Sequence, residues 1–250
     1  MLKIISKFAN SPIPSVHTIP LFLLVLFASP AAEAQMFQGG INLLVGLPQG
    51  AFKDNVSRVG GGIGGNIGYA PFGTAYMIGV EAGFMNYGTE NRREPFSTTI
   101  PDVTVNVETQ NNFALGHFFL RLQPNSGSLR PYIEGALGVN YLFTKTTIQN
   151  EGKSNEEVAS STNLDDATFT YGGGGGLLIS VYGQGGEEAL HGDAELKEVL
   201  IELRARYMIG GRAEYLKEGS IRREAGRVVY DVQKSQTDLL TLQLGVALRF

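Results

Sequence analysis

Six charged side chains stand out because they lie at alternate positions of segments that are otherwise apolar or rich in small residues. They are Glu81, Arg121, Glu134, Glu202, Arg204 and Arg206. An unpaired charge in a space of low dielectric is costly, so opposite charges brought together there are expected to pair. Arg121 and Glu134 flank one short turn and are expected to be cross-strand neighbours. Such a set forms either a polar filter for a solute or a closed network of ion pairs.

Other reactive groups are scarce. The chain has no Cys, which excludes disulfides, thiolate metal sites and a Cys nucleophile. His117 is expected in a strand wall beside the charged residues, and His191 lies in a long link. Gly60, Gly62 and Gly65 match G-x-G-x-x-G, but the following segment continues a strand and opens no helix, so a dinucleotide site is not expected. We expect no cofactor, no metal and no catalysis.

Composition gives broad limits. The formal net charge is -4, from 20 Lys and Arg against 24 Asp and Glu, so the chain has no basic footprint for nucleic acid. The 33 glycines are about twice the usual share. Mean hydropathy is -0.01, a value typical of soluble proteins. Strands of a transmembrane β-barrel also carry little average hydropathy, so such a barrel stays compatible with this value.

The first 34 residues have the pattern of a cleaved export signal. A polar start is followed by the apolar run 19–28, and Ala32 and Ala34 have the small-x-small form that signal peptidase reads. The apolar run is too short to span a hydrocarbon core of about 30 Å. Cleavage after Ala34 is expected, which leaves residues 35–250 as one domain.

The remaining chain alternates apolar with polar or small residues, the period of two that indicates strands with two different faces. The clearest case is the segment 239–250, where the even positions from Leu240 to Phe250 are apolar. Seven further segments repeat the pattern, which gives eight expected strands. These segments are 38–47, 61–70, 78–84, 112–122, 133–143, 168–182 and 199–209.

The links between the expected strands alternate in length. The short links are 71–75 and 123–130, and the long ones are 48–59, 88–109, 144–167 and 213–236. Short links therefore fall on one side of the sheet and long links on the other, as in barrels with short periplasmic turns and long outer loops. The inner link 183–198 breaks this rule because it is long and acidic, and a short helix is expected at 187–198.

Two features refine this picture. Val103, Val105, Val107 and the segment 228–232 indicate strands that extend beyond the membrane. The parity of these three valines conflicts with the lipid face of segment 112–122, so a bulge or bend near residues 110–112 is expected. Because the chain has no Trp, Tyr and Phe are expected to form the aromatic belts.

The alternation that ends in Leu248-Arg249-Phe250 resembles the C-terminal signal of bacterial outer-membrane proteins. The segment 40–52 is similar to first strands of the porin-family "outer membrane protein beta-barrel domain". Eight glycine-rich strands also resemble the small barrels of the OmpA transmembrane domain, OmpX and OmpW. The resemblance implies an all-β, eight-stranded antiparallel up-and-down barrel that contacts outer-membrane lipid. It also implies that Leu248 and Phe250 are an assembly signal, read by the barrel-assembly machinery after passage with periplasmic chaperones.

The resemblance is specific for architecture and leaves function open. We interpret the chain as a non-catalytic, monomeric outer-membrane barrel with a membrane-structural or surface-binding role carried by its extracellular loops. The alternatives are a narrow channel for small or apolar solutes and a barrel enzyme. A secreted lipocalin-like barrel is disfavoured because the charged residues stand on the wrong face. A closed ion-pair core is favoured over a filter because side chains nearly fill the bore of eight strands.

Overall fold

The structure is a computed structural model that describes residues 36–71, 74–97, 100–150, 157–183, 196–224 and 227–250. The expected export signal, with Ala32 and Ala34, lies outside the described residues and stays a prediction. The same holds for His191 and for residues 187–195 of the expected helix. The prediction that this helix reaches residue 198 is wrong, because Glu198 is the first residue of a strand.

The described residues form twelve strands and one short helix. In chain order they are β1 (Met36–Pro48), α1 (Gly50–Asn55), β2 (Gly60–Ala70), β3 (Tyr76–Ser97), β4 (Ile100–Leu122), β5 (Leu129–Asn150), β6 (Glu157–Tyr182), β7 (Glu198–Gly210), β8 (Arg212–Tyr215), β9 (Ile221–Glu224), β10 (Arg227–Tyr230), β11 (Gln233–Gln236) and β12 (Leu239–Arg249). Among the described residues, no helix is long and apolar enough to cross a membrane.

Eight strands close into one barrel in the order β1-β12-β7-β6-β5-β4-β3-β2. Every neighbouring pair is antiparallel, and β1 closes the ring by pairing with β12. The ribbons β9–β10 and β8–β11 stand apart as two-stranded sheets. The predicted eight-stranded antiparallel up-and-down barrel is therefore confirmed.

The outward face of the barrel is apolar. Ile41, Phe118 and Ile133 are 74%, 61% and 63% exposed. In the lipid-spanning part of these strands, the other outward positions are apolar or Gly, and they include the exposed residues Leu43, Leu120 and Leu137. The alternate positions are buried inside the ring, so the face parities predicted for these strands are confirmed. An exposed apolar surface of this extent is stable in lipid rather than in water.

Aromatic side chains lie at both edges of the apolar band. At the short-turn end Phe37 packs against Tyr69 with ring centroids 5.4 Å apart. At the long-link end Tyr141 stacks on Phe143 at 5.3 Å, and the Tyr141 hydroxyl donates to Asp165 at 3.0 Å. Rings with an apolar body and a polar tip suit the boundary between lipid and water.

Two hairpins are longer than the sequence indicates. The expected links 88–109 and 144–167 are mostly strand, because β3–β4 and β5–β6 continue past the apolar band. Thr and Val favour extended backbone, and the hydroxyls of Thr109 and Thr146 meet across β4 and β5 at 3.1 Å.

The prediction of a bulge near residues 110–112 of β4 is wrong about the position of the irregularity. β4 keeps one parity, with Val105 and Val107 buried on the same side as the lumen residues below them. The register shift lies on the partner strand, between Asn86 and Gly88 of β3. These valines are apolar because they line the inside of the extended barrel, not because they face lipid.

Candidate functional site in the barrel lumen

The lumen site depends on a stretch of wall without side chains, Gly172–Gly176 of β6. Gly174 lies between Glu134 of β5 and Arg206 of β7. Because Gly174 has no side chain, Arg206 Nη2 reaches Glu134 Oε1 across β6 at 2.6 Å. A Cβ at Gly174 would lie 2.1 Å from the carbonyl oxygen of Ala205, so the strands also approach too closely for a larger residue.

All six charged residues singled out in the sequence lie in one buried cluster at mid-lumen. The cluster consists of Glu81, Arg121, Glu134, Glu202, Arg204 and Arg206, each at most 6% exposed. Arg121 and Glu134 lie opposite each other across β4 and β5, with Nε and Oε2 2.9 Å apart. Arg206 Nη1 donates to Glu81 Oε1 at 2.8 Å, and Arg204 also donates to Glu81. Three carboxylates and three guanidinium groups balance in charge.

Glu202 joins the cluster from below. Arg204 Nη2 donates to Glu202 Oε2 at 2.9 Å, and Arg121 Nη2 lies 2.9 Å from Glu202 Oε1 as an ion pair. The Tyr132 hydroxyl donates to Glu202 Oε1 at 2.6 Å, and the Tyr132 ring lies 4.0 Å from the Arg121 guanidinium carbon. The ring therefore supports the cluster through both a hydrogen bond and a cation–π contact.

His117 lies at the edge of the cluster, in the wall position expected from the sequence. Its Nε2 is 3.0 Å from Asn140 Oδ1, and its Nδ1 is 3.6 Å from Glu81 Oε1. Both side chains are buried, so His117 is a hydrogen-bonded part of the wall and has no access to a solute in this structure.

An apolar layer closes the outer end of the lumen above the charged cluster. Helix α1 follows β1 and places Phe52, 1% exposed, against the rings of Tyr87, Phe113 and Tyr215. Asn55 anchors the helix by donating to the Tyr215 hydroxyl at 3.0 Å. We call this layer the plug; it comprises Leu44, Phe52, Val56, Met85, Tyr87, Phe113, Leu115, Leu142, Ala213, Tyr215 and Leu239.

A second group of charges lies at the inner end, where the short turns are. Arg130 binds Glu198 with both terminal nitrogens, at 2.8 and 2.6 Å. Ser180 donates to the same carboxylate at 2.6 Å, and Arg249 Nη1 lies 3.2 Å from it. We call these four residues the inner rim.

The described residues fill the bore at two levels. Arg121 and Arg206 are 0% and 1% exposed in the charged cluster, and Phe113 is 0% exposed in the plug. Of the two arrangements that the sequence left open, this geometry is that of a closed ion-pair network. Within the described ranges, no group of three or more His, Asp or Glu is placed to hold a metal ion.

The two residues of the expected assembly signal lie at the barrel seam. Leu248 pairs with Gly39 of β1, which closes the ring, and the Phe250 amide donates to the carbonyl oxygen of Phe37 at 2.9 Å. Their reading by an assembly machinery stays a prediction.

Several residues of the site are not among those predicted from the sequence. Tyr132 and Arg130 share the parity of Glu134 on β5, and Glu198 shares that of Glu202 on β7, so parity is a signal for them. Phe52 has no such signal, because nothing in a link distinguishes a residue that folds inward from one that stays in solvent.

A closed antiparallel barrel with a lipid-compatible exterior and its charges inside is one of the two structures that can satisfy the backbone in a bilayer. With short turns at one end and long extensions at the other, it has the arrangement of outer-membrane barrels. The chain is a small integral β-barrel of the bacterial outer membrane.

No family model matches the chain, and no curated protein matches it. The chain is similar to the solved structure of Neisserial surface protein A (NspA), at 10% identity over 86% of this chain and 95% of that chain, with a TM-score of 0.34. It is similar to the N-terminal β-barrel domain of Pseudomonas aeruginosa OprF, at 12% identity over 85% and 97% of the two chains, with a TM-score of 0.28. It is also similar to a major outer membrane protein from Thermus thermophilus, at 12% identity over 86% and 99%, with a TM-score of 0.38.

Proposed function

We propose that this chain is a non-catalytic, non-conducting barrel whose role is membrane-structural or surface-binding, carried by its extracellular residues. The observation that carries the proposal is the double closure of the lumen, by the charged cluster and by the plug. A solute would have to displace both layers. Breaking a buried ion pair alone costs several kcal/mol, about 3–5 in measured cases.

Contacts among the extracellular residues support a binding role. Arg58 pairs with Glu218 at 2.8 Å, and the Gly219 amide donates to Glu90 at 2.9 Å. The segment after α1 and the β3–β4 hairpin are thereby tied to the same long link, which follows β8. A surface held together in this way is better preorganised for a partner than separate mobile loops.

The environment of His117 supports the absence of catalysis. A general base must reach the proton it removes, and His117 is enclosed between Asn140 and Glu81 inside the filled lumen. We also expect the barrel to function as a monomer surrounded by lipid, without nucleic acid or cofactor.

Conductance measurements test whether the lumen is closed. Refolded protein in planar bilayers is expected to give no conductance steps, while its heat-dependent gel shift shows that it is folded. Phe52→Ala is expected to stay silent as well, because the charged cluster remains closed beneath the plug. Reproducible steps from the unaltered protein would overturn the proposal in favour of the narrow channel.

A second experiment separates the structural role from the surface-binding role. In a strain without the protein, detergent sensitivity is compared after supplying the whole chain or a chain in which residues 217–232 are replaced by a short Gly-Ser link. Equal rescue by both supports a membrane-structural role of the barrel. Rescue by the whole chain alone, with equal amounts of folded barrel, supports a role of the extracellular surface. Loss of folded barrel in the replaced chain would show that the extracellular segment serves folding and would contradict both versions.

A further inference from the structure

The inner end of the barrel holds a cleft of about 470 Å³ beside the inner rim. It is lined by the short turn between β4 and β5 (Asn125 to Ser128), by Lys197, and by Arg130, Glu198 and Arg249 of the rim. The lumen above is filled, so a molecule in the cleft would be held at the mouth and not passed through the barrel.

The charges around the cleft do not balance. Arg130, Arg249 and Lys197 contribute three positive charges, and Glu198 contributes one negative charge. Glu198 is already saturated, because Arg130 binds it with two nitrogens and Ser180 and Arg249 add further bonds. The central cluster, in contrast, is neutral. The excess positive charge therefore has no counterpart among the side chains that line the cleft.

Arg249 has one free edge. Its Nη1 donates to the Asn125 carbonyl oxygen at 3.0 Å and to Glu198 at 3.2 Å. Its Nε and Nη2 have no partner among the described residues, although the side chain is only 4% exposed. Nε and Nη2 lie on the same edge of the guanidinium plane and form the fork that binds two oxygens of a carboxylate or phosphate. Two buried donors without an acceptor are costly, so an acceptor stabilises this arrangement.

We propose that the cleft is a binding site for an oxyanion, a phosphate or carboxylate group, and that Arg249 turns its buried Nε and Nη2 edge toward the cleft to hold the anion. Lys197, which is exposed beside the cleft, adds attraction for the anion. The cleft is larger than a single phosphate, so it accommodates the adjoining part of a phosphate ester or a carboxylic acid. Because the fork is shielded from bulk water, its bonds to an anion are stronger than those of an exposed Arg.

The first test measures binding to the whole refolded protein in a neutral detergent, with inorganic phosphate and acetate as probes in calorimetric titrations. The expected result is saturable binding of one phosphate per barrel. Arg249→Lys keeps the charge and removes the fork, and we expect affinity to fall about tenfold or more. Lys197→Gln alters an exposed residue and is expected to weaken binding about threefold. Lys234→Gln removes an equal charge at the outer end and is expected to leave binding unchanged.

Two results of these titrations would contradict the proposed anion site. Absence of saturable binding overturns the proposal, and so does equal affinity in Arg249→Lys. If Arg249→Lys loses the heat-dependent gel shift, Lys197→Gln decides alone, and unchanged affinity in that variant overturns the proposal.

The anion has two possible sources, a lipid headgroup or a soluble molecule, and vesicles distinguish them. The protein is reconstituted in phosphatidylcholine with and without phosphatidylglycerol. If phosphatidylglycerol lowers the affinity for phosphate, and does so only when Arg249 is present, the ligand is a lipid headgroup. Affinity that is insensitive to phosphatidylglycerol supports a soluble anion.

A final variant tests whether the chain supplies its own anion. The adjoining segment 184–195 carries Glu187, Glu188, Asp193 and Glu195. These are replaced together by Gln or Asn. Phosphate binding that appears only in this variant overturns the proposal, because the fork would then be filled by a carboxylate of the same chain. Equal binding with and without the replacements supports it.

Discussion

The charged cluster and the plug close the same lumen with opposite chemistry. The cluster is built from residues on β3, β4, β5 and β7, all within the lipid-spanning part of the strands. The plug combines residues of the strand ends with Phe52 of α1 and Tyr215 of β8, both from links at the long-link end of the barrel. One layer is held by ion pairs with defined partners, and the other by burial of apolar surface without fixed pairs.

The difference shows how a barrel divides stability between wall and loops. Removal of one partner from the cluster leaves an uncompensated charge in the wall itself, so the stability of the whole barrel falls. A fault in the plug affects a segment that can open while the wall stays paired. Substitutions in the two layers should therefore differ in how far they destabilise the barrel wall.

Arg206→Met is expected to have the largest effect. It leaves Glu81 and Glu134 with fewer partners and should lower the free energy of unfolding by about 3–5 kcal/mol. The measurement is urea unfolding followed by the gel shift, because the chain has no Trp for fluorescence. Combining Arg206→Met with Glu134→Gln restores the charge balance and should recover part of the loss. A double variant less stable than the single one would contradict the pairing described here.

Gly174→Ala is expected to have the next largest effect. The added Cβ collides with the Ala205 carbonyl oxygen on the neighbouring strand, and forced overpacking costs about 1–3 kcal/mol. Gly116→Ala is the matched control, because a Cβ there meets nothing within 4 Å. Both are measured by the same urea titration. Equal stability of the two variants would show that close approach at β6 is not limiting.

Phe52→Ala should separate the plug from the cluster. Removing a fully buried Phe ring costs about 3–5 kcal/mol where the ring packs, but here the loss should fall on the docking of α1. We expect proteolysis within residues 49–59 to become much faster while the urea midpoint of the barrel changes little. A midpoint shift as large as that of Arg206→Met would mean that plug and wall unfold together.

Lys234→Ala is expected to have the smallest effect. Lys234 pairs with Glu214 at 2.9 Å between β11 and β8, but both side chains are largely exposed. An exposed ion pair contributes about 0–1 kcal/mol and is screened by salt. A urea titration at low and high salt should give curves that nearly coincide with those of the unaltered protein. A loss comparable to that of Arg206→Met would contradict the link between burial and ion-pair strength.

The contrast also explains what the sequence predicts and what it leaves out. The period of two places Glu81 and Arg204 on the inner face, and the short turn brings Arg121 opposite Glu134, because strand geometry leaves no other choice. Val105 and Val107 have the same inward parity, but their apolar side chains suggest lipid when the outer end of the lumen is unknown. Phe52 depends on contacts with residues far away in the chain, which no local pattern encodes.

The glycine stretch of β6 has a consequence for the fidelity of assembly. Five successive glycines offer no side chain by which neighbouring strands could recognise their alignment, and a slip of two residues would still place glycine at the inner face. Such a slip between β5 and β6 would displace β7 from β5 by about 7 Å. Glu134 and Arg206 would then lose contact. Glu134 lies on β5 and Arg206 on β7, so their ion pair forms only when β6, which lies between them, has the correct register.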